Sequence, residues 1–394
     1  MKNFRAAALV GLAALLLAAC GGSDPYIPGS GSPEGAPTTK GSFTAVVSFG
    51  DSLSDLGTYA PATSLTGNGQ PPYFGGKWTT NGPGATVWVE NLAAALGLMV
   101  TPAEVGFAGQ SVKCPAAAVN AALATTCTAY GQGGSRVTDP EGLGKSGGAL
   151  TVPVKTQIAN HLASFGGFKD SDLIFVWAGH NDIFVQFGIF GAKAAQIQAQ
   201  AAAGQISEDQ AKNLLLQAQL AAQEAMKQAA IELGGYIKDE ILAKGGKYVA
   251  VANLVDIAAT PFGSTVPASA QPVLTGLSEV FNLWLRDEMT GQPVQWVDAM
   301  ALIKNVRAEP ARYGFTNVTV PACDAAKIAA ITGGAVTDGS SLFCNATPGV
   351  PFNGLRDGAD VNTWLFADGV HPTIGGHKAT SEEFAKALAA FGWI

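Results

Sequence analysis

Three polar clusters in this chain lie far apart in sequence, yet each adjoins an apolar element. Gly50-Asp51-Ser52 follows the β-branched run FTAVVSFG (43–50), and Gly179-His180-Asn181-Asp182 follows DLIFVWAG (172–179). Asp368-Gly369-Val370-His371 stands just ahead of the last helical segment. A fourth stretch, Tyr130-Gly131-Gln132-Gly133-Gly134-Ser135-Arg136, is a glycine turn whose backbone N–H groups can point at one spot. Together they offer a hydroxyl, an imidazole with a carboxylate three residues before it, and donors for a developing oxyanion. That is the equipment of acyl transfer through a covalent intermediate.

Such groups can meet only if the intervening chain brings them to one edge. FTAVVSFG, DLIFVWAG, KYVAVANLV (247–255) and PVQWVDA (293–299) read as strands covered on both faces, being apolar and β-branched without alternation. WVENLAAALGL (88–98) and VKTQIANHLASFG (154–166) have helical period, and further helices are expected near 274–289 and 377–391. Strands alternating with helices predict an α/β fold: three layers, with a central parallel sheet between helices. Ligands bind such sheets beyond the carboxyl ends of their strands. The Ala- and Gln-rich stretch 191–245 predicts a helical insertion beside the site. Gly204 breaks it, Ser207-x-x-Gln210 supplies a capping box, and Leu214, Ala218, Ala221, Ala225 and Ala229 form the expected buried stripe.

The chain has 394 residues, of which 47% are hydrophobic and 13% charged, enough for a full core. A formal net charge of −7 gives no footprint for nucleic acid. Residues 1–19 read as a secretory signal, with Lys2 and Arg5 before AAALVGLAALLLAA, a run too short to span a bilayer comfortably. Leu17-Ala18-Ala19-Cys20 resembles the bacterial lipobox, which implies cleavage before Cys20, lipid on its thiol and a membrane anchor. Gly21 and Gly22 lack the aspartate associated with inner-membrane retention in such lipoproteins, so export to the outer membrane is expected. Residues 20–42, rich in Gly, Ser and Pro, read as a flexible tether to a domain spanning 43–394. Cys114, Cys127, Cys323 and Cys344 then remain for two disulfides in an oxidising compartment. Three pairings are possible; the local one closes loops rich in Ala, Thr and Gly.

Four blocks in order, FGDSLSD, GGSR, GHND and DGVHP, resemble those of the SGNH, or GDSL, hydrolases. KYVAVANLVDIAATP, FNLWL and EPARYGFTNV are similar to the bacterial lipase and autotransporter-esterase branch of that family. The resemblance covers about 43–394 and implies a flavodoxin-like SGNH fold hydrolysing small-molecule or lipid esters without metal or cofactor. It implies Ser52 as nucleophile, ahead of a helix whose dipole favours negative charge, His371 as base and Asp368 as its orienting partner. It implies an oxyanion hole from the N–H of Ser52, the N–H of Gly134 (with Gly133 as the alternative) and the amide of Asn181. The same triad serves lipid acyltransferases and phospholipases among similar proteins, and a lipoprotein scaffold that keeps the blocks without turnover is the non-enzymatic alternative.

Other readings of the residues are weaker. Gly144-Lys145-Ser146-Gly147-Gly148 satisfies G-x-S-x-G, but DPEGLGKSGG supplies neither the strand before nor the helix after that such an elbow needs. Asp51 and Asp55 are expected to hydrogen-bond within their loop, and His161, His180 and His377 to be structural or solvated. IFVQFGIF (183–190) can line an acyl pocket or pack in the core.

Overall fold

The computed structural model describes residues 27–66 and 75–394. Its strands are β1 (Ala45–Gly50), β2 (Glu104–Phe107), β3 (Gln110–Lys113), β4 (Asp172–Trp177), β5 (Tyr248–Ala252) and β6 (Gln295–Val297). β1, β4, β5 and β6 form one parallel sheet, hydrogen-bonded in that order. Beyond β1, Ser48 donates to Thr128 O and accepts from Tyr130 N, so residues 128–130 run parallel to the sheet as a further, one-bridge strand. That pairing delivers the glycine turn to the same edge as Ser52. β2 and β3 make a separate antiparallel hairpin that the sequence pattern did not announce, because every residue of β3 is exposed.

Side chains alternate across the sheet, giving two cores. Val47, Phe49, Ile174, Val176, Val249 and Val251 face one layer; Val46, Leu173, Phe175, Trp177, Ala250 and Ala252 face the other. Seven helices of eight or more residues lie among the described residues. They are α1 (Trp88–Ala95), α2 (Val154–Phe165), α3 (His180–Ala202), α4 (Glu208–Tyr236), α5 (Gln271–Glu288), α6 (Ala299–Ala308) and α7 (Ile374–Ala390). α2, α4 and α5 bury Ile158, Met226, Leu233, Phe281 and Leu285 on the first face. α1 and α7 bury Trp88, Leu92, Phe384 and Leu388 on the second, where Trp88 meets the Phe384 ring at 4.5 Å and that of Phe175 edge-on at 5.2 Å. This is the expected three-layer α/β/α arrangement.

Four details differ from expectation. The helical stretch does break at Gly204, and Ser207 and Gln210 do close a reciprocal capping box, but α3 already begins at His180. α4 is also no appendage: it packs against α5 within the outer layer. Its buried stripe is Ala222, Met226, Ala229, Ala230 and Leu233, one residue round from the predicted one at most positions, and Ala221 is exposed. Alanine is too small to choose a face, so Met226 and Leu233 set the rotation. The tether expected over 20–42 is, from Ile27 onward, laid along the body. Gly29 N donates to Asp287 Oδ1, Glu34 N to Gln292 O, and Gly41 N to Trp393 O, while the Trp393 indole donates to Pro37 O. The signal segment and Cys20 lie outside the described residues. Both disulfides are local: Cys114–Cys127 and Cys323–Cys344.

His161 belongs to the first core, stacked on Phe168 at 4.4 Å and edge-on to Phe49 at 5.9 Å. Burial pushes its pKa down to about 4, whereas an unfolded histidine titrates near 6.5. Between those values the unfolded chain binds more protons, so this ring makes stability fall as pH falls from about 6.5 to about 4. His161→Phe should therefore flatten the decline of the urea midpoint across that window; a slope equal to that of the wild type would refute the assignment.

Candidate active site

At the carboxyl end of β1 the chain must turn at once beside β4. Gly50 allows it, since a Cβ there would approach Trp177 O to 2.4 Å. Asp51 then caps the turn, one carboxylate oxygen accepting Leu53 N at 3.1 Å and the other facing His180 Nδ1 at 2.9 Å. Ser52 opens a single 3-10 turn, Ser52–Ser54, rather than a full helix. The expected help from a helix dipole is thus reduced to one turn, in which the N–H groups of Leu53 and Ser54 are already taken by Asp51.

On the far side, Asp368 and His371 share one tight loop before α7. Asp368 Oδ1 accepts the N–H of Val370 at 2.9 Å and of His371 at 2.8 Å, and Oδ2 accepts Ser341 N at 2.8 Å. His371 Nδ1 lies 2.9 and 2.8 Å from the two carboxylate oxygens, and its Nε2 is 2.8 Å from Ser52 Oγ. Burial opposes ionisation of Asp368, but the imidazole and the N–H donors prevail and hold its pKa below the usual carboxylate range. An ionised carboxylate only accepts, so Nδ1 carries the proton and Nε2 is left to accept from the serine hydroxyl. The Trp78 ring lies over the His371 imidazole, centroids 4.6 Å apart.

The glycine turn faces this group. Gly134 has φ +81°, and a Cβ there would come 2.0 Å from Leu143 O, so no other residue fits. The N–H of Gly133 is spent on Asp55 Oδ2 at 2.8 Å, whereas Gly134 lines the cavity. Asn181, buried at the start of α3, gives one amide hydrogen to Ser135 O at 2.8 Å; its second remains for a ligand. The expected site residues Ser52, His371, Asp368, Gly134 and Asn181 therefore border one cavity of about 420 Å³. Apolar walls from Leu53, Phe184, Val255, Ile257 and Phe262 complete it.

The sequence profile of the GDSL-like lipase/acylhydrolase family matches residues 46–384. The chain belongs to that family. No curated protein sequence matches it. Membership in an acyl hydrolase family agrees with what the cavity of this GDSL-like protein contains.

Several contributors to the site carry no motif. Trp78 stands in KWTTNG, with nothing in its neighbours to mark it. Asp338 and Ser340 reach the cavity from the loop closed by Cys323–Cys344, the same loop that supplies Ser341 N to Asp368. The remaining histidines are buried, and His180 also borders the cavity. His180 faces Asp51 and accepts from Val255 N at 3.4 Å; His377 accepts from Trp88 N at 3.3 Å and faces Trp78 O at 3.2 Å. Within IFVQFGIF both uses are found: Phe184 lines the cavity and Ile183 is core.

Asp55, three residues after Ser52, collects donors from three directions. Oδ1 accepts Gly57 N at 2.9 Å and Thr58 N at 2.7 Å; Oδ2 accepts Gly133 N at 2.8 Å and the Trp78 indole at 3.3 Å. Burial raises its pKa, against the pull of those N–H groups. Asp55→Asn forces an amide NH₂ to face a donor. It should cost about 1–3 kcal/mol in stability and lower acyl-hydrolysis rates along with it. Urea denaturation and ester turnover on the same preparation check this; wild-type values in both would show that the carboxylate is dispensable.

Proposed function

We propose that this GDSL-like hydrolase cleaves carboxylic esters through an acyl-enzyme. The reading rests on one observation: Ser52 Oγ stands 2.8 Å from His371 Nε2, while the other ring nitrogen meets the Asp368 carboxylate at 2.8 Å. Ser52 Oγ attacks the ester carbonyl as its proton passes to His371 Nε2, and the carbonyl π pair moves onto oxygen. The N–H of Ser52, the N–H of Gly134 and the free amide hydrogen of Asn181 receive that oxyanion, each such donor being worth about 10²–10³ in rate. Asp368 stabilises the imidazolium without taking its proton. Collapse breaks the bond to the alcohol oxygen, which leaves with the proton from Nε2. Water then repeats the sequence: it gives its proton to His371 and its oxygen to the acyl carbon, and Ser52 departs protonated.

Two measurements test this chemistry together. Ser52→Ala should abolish turnover of p-nitrophenyl butyrate and labelling by a fluorophosphonate, with the thermal melt unchanged. Wild-type turnover in that variant, or label on a different serine, refutes the assignment.

We also propose that the protein is exported and held to a membrane through lipid on Cys20. Two disulfides support an oxidising compartment, and among the described residues no helix is long and apolar enough to cross a bilayer. Cys20→Ala should shift the protein from the membrane to the soluble fraction of the expressing cells; retention at the membrane would overturn the anchor.

A further inference from the structure

A second cavity adjoins the first. It is bounded by Leu53, Val255 and Val370, which also line the catalytic cavity, so the two share a wall made of three apolar side chains. From there it runs beyond the carboxyl ends of β4, β5 and β6, past Trp177 and Ala299, into the space between α6 and α7. α6 presents Ala299, Leu302, Ile303 and Val306 to it at i, i+3, i+4 and i+7, one helical stripe. α7 presents only Gly376, Ala379 and Thr380, one residue of each size class that leaves room. Protein interiors are close-packed, and a gap lined by this much apolar surface loses contacts on every side.

We infer that this second cavity receives an unbranched hydrocarbon chain of the substrate, making the enzyme selective for esters with a medium-length apolar arm. The inference rests on the ester-hydrolase reading and adds its substrate class. The cavity holds about 60 Å³. That is room for only a few chain carbons beyond those lying over Ser52. No charged side chain lines it, and its polar members are the hydroxyls of Thr260 and Thr380, so an alkyl chain fits and an ionic headgroup does not. The chain can belong to the acid or to the alcohol; both meet at the carbonyl beside Ser52.

Two substrate series separate those sources: p-nitrophenyl esters of rising acyl length, and alkyl acetates of rising alcohol length. Ala379→Phe fills the cavity from α7 and should lower octanoate relative to acetate turnover, or octyl relative to ethyl acetate, by about tenfold or more, with the shortest substrate unaffected. Ile303→Ala enlarges the cavity and should move the optimum to longer chains, which keeps the test intact should the phenylalanine variant misfold. A chain-length profile identical to wild type in both variants, or an equal loss at every length, overturns the subsite. An independent arm uses calorimetry on Ser52→Ala: octanoate or 1-octanol should bind, and adding Ala379→Phe should abolish that binding. Binding so abolished in a protein whose wild type hydrolyses no ester would refute the hydrolase reading alone; binding untouched by Ala379→Phe would refute the subsite.

Discussion

The buried Asp55 carboxylate is the knot on which the site's geometry depends. Its two oxygens hold the loop after Ser52, the turn carrying Gly134, and the indole lying over His371. These parts come from three separate stretches of chain, and none of them is inside a long helix or strand that would fix it unaided. Tyr59 adds a second tie from the same loop, its hydroxyl donating to Gly133 O at 2.7 Å. The glycine turn is thus gripped by both its N–H and its carbonyl. Burying a carboxylate is costly, and three backbone N–H groups and an indole N–H are what offset that cost here. Tightness around Gly133 follows: a Cβ there would meet the Trp78 indole at 2.3 Å.

Much of this arrangement was legible in the sequence, for a physical reason. Strands buried on both faces leave continuous apolar runs, and polar residues ending such runs mark the edge where a parallel sheet binds ligands. Ser52 and Asn181 could be placed at that edge from that logic; their roles, and those of Gly134, Asp368 and His371, followed from the resemblance of the four blocks to GDSL hydrolases. Trp78 could not be placed, since its position above His371 depends on a contact with a residue far along the chain rather than on its neighbours. The cysteine pairing was open for the same reason. Where composition was nearly uniform, as along α4, even a correct helix left its buried face one residue out.

The four histidines show how little a residue type says by itself. His161 is packed among aromatic rings, and His180 bridges Asp51 and the chain after β5. His377 joins Trp88 to the carbonyl of Trp78 and is pushed down to about 3 by burial, so it stays neutral. Among the described residues, only His371 combines a carboxylate on one nitrogen with a serine hydroxyl on the other. The distinction lies in the second partner, Ser52, which comes from the other end of the chain.

The Asp368 end of the site is held differently from the Ser52 end. Its outer oxygen is met by Ser341 N, within the loop that Cys323–Cys344 closes, and Cys323 N itself donates to Ala367 O at 2.8 Å. The crosslink therefore fastens the chain on both flanks of the carboxylate, limiting how far the Asp368 loop can withdraw from His371. A disulfide restricts mainly the unfolded chain, but here its two half-cystines also sit in a small buried cluster with Ile328 and Ala367, one residue from the carboxylate. Hydrogen bonds from a loop otherwise short of apolar anchorage are kept in register by that cluster. Two means of support, a buried carboxylate beneath the nucleophile turn and a crosslinked loop behind the imidazole, thus bring a hydroxyl and a base 319 residues apart to within 2.8 Å.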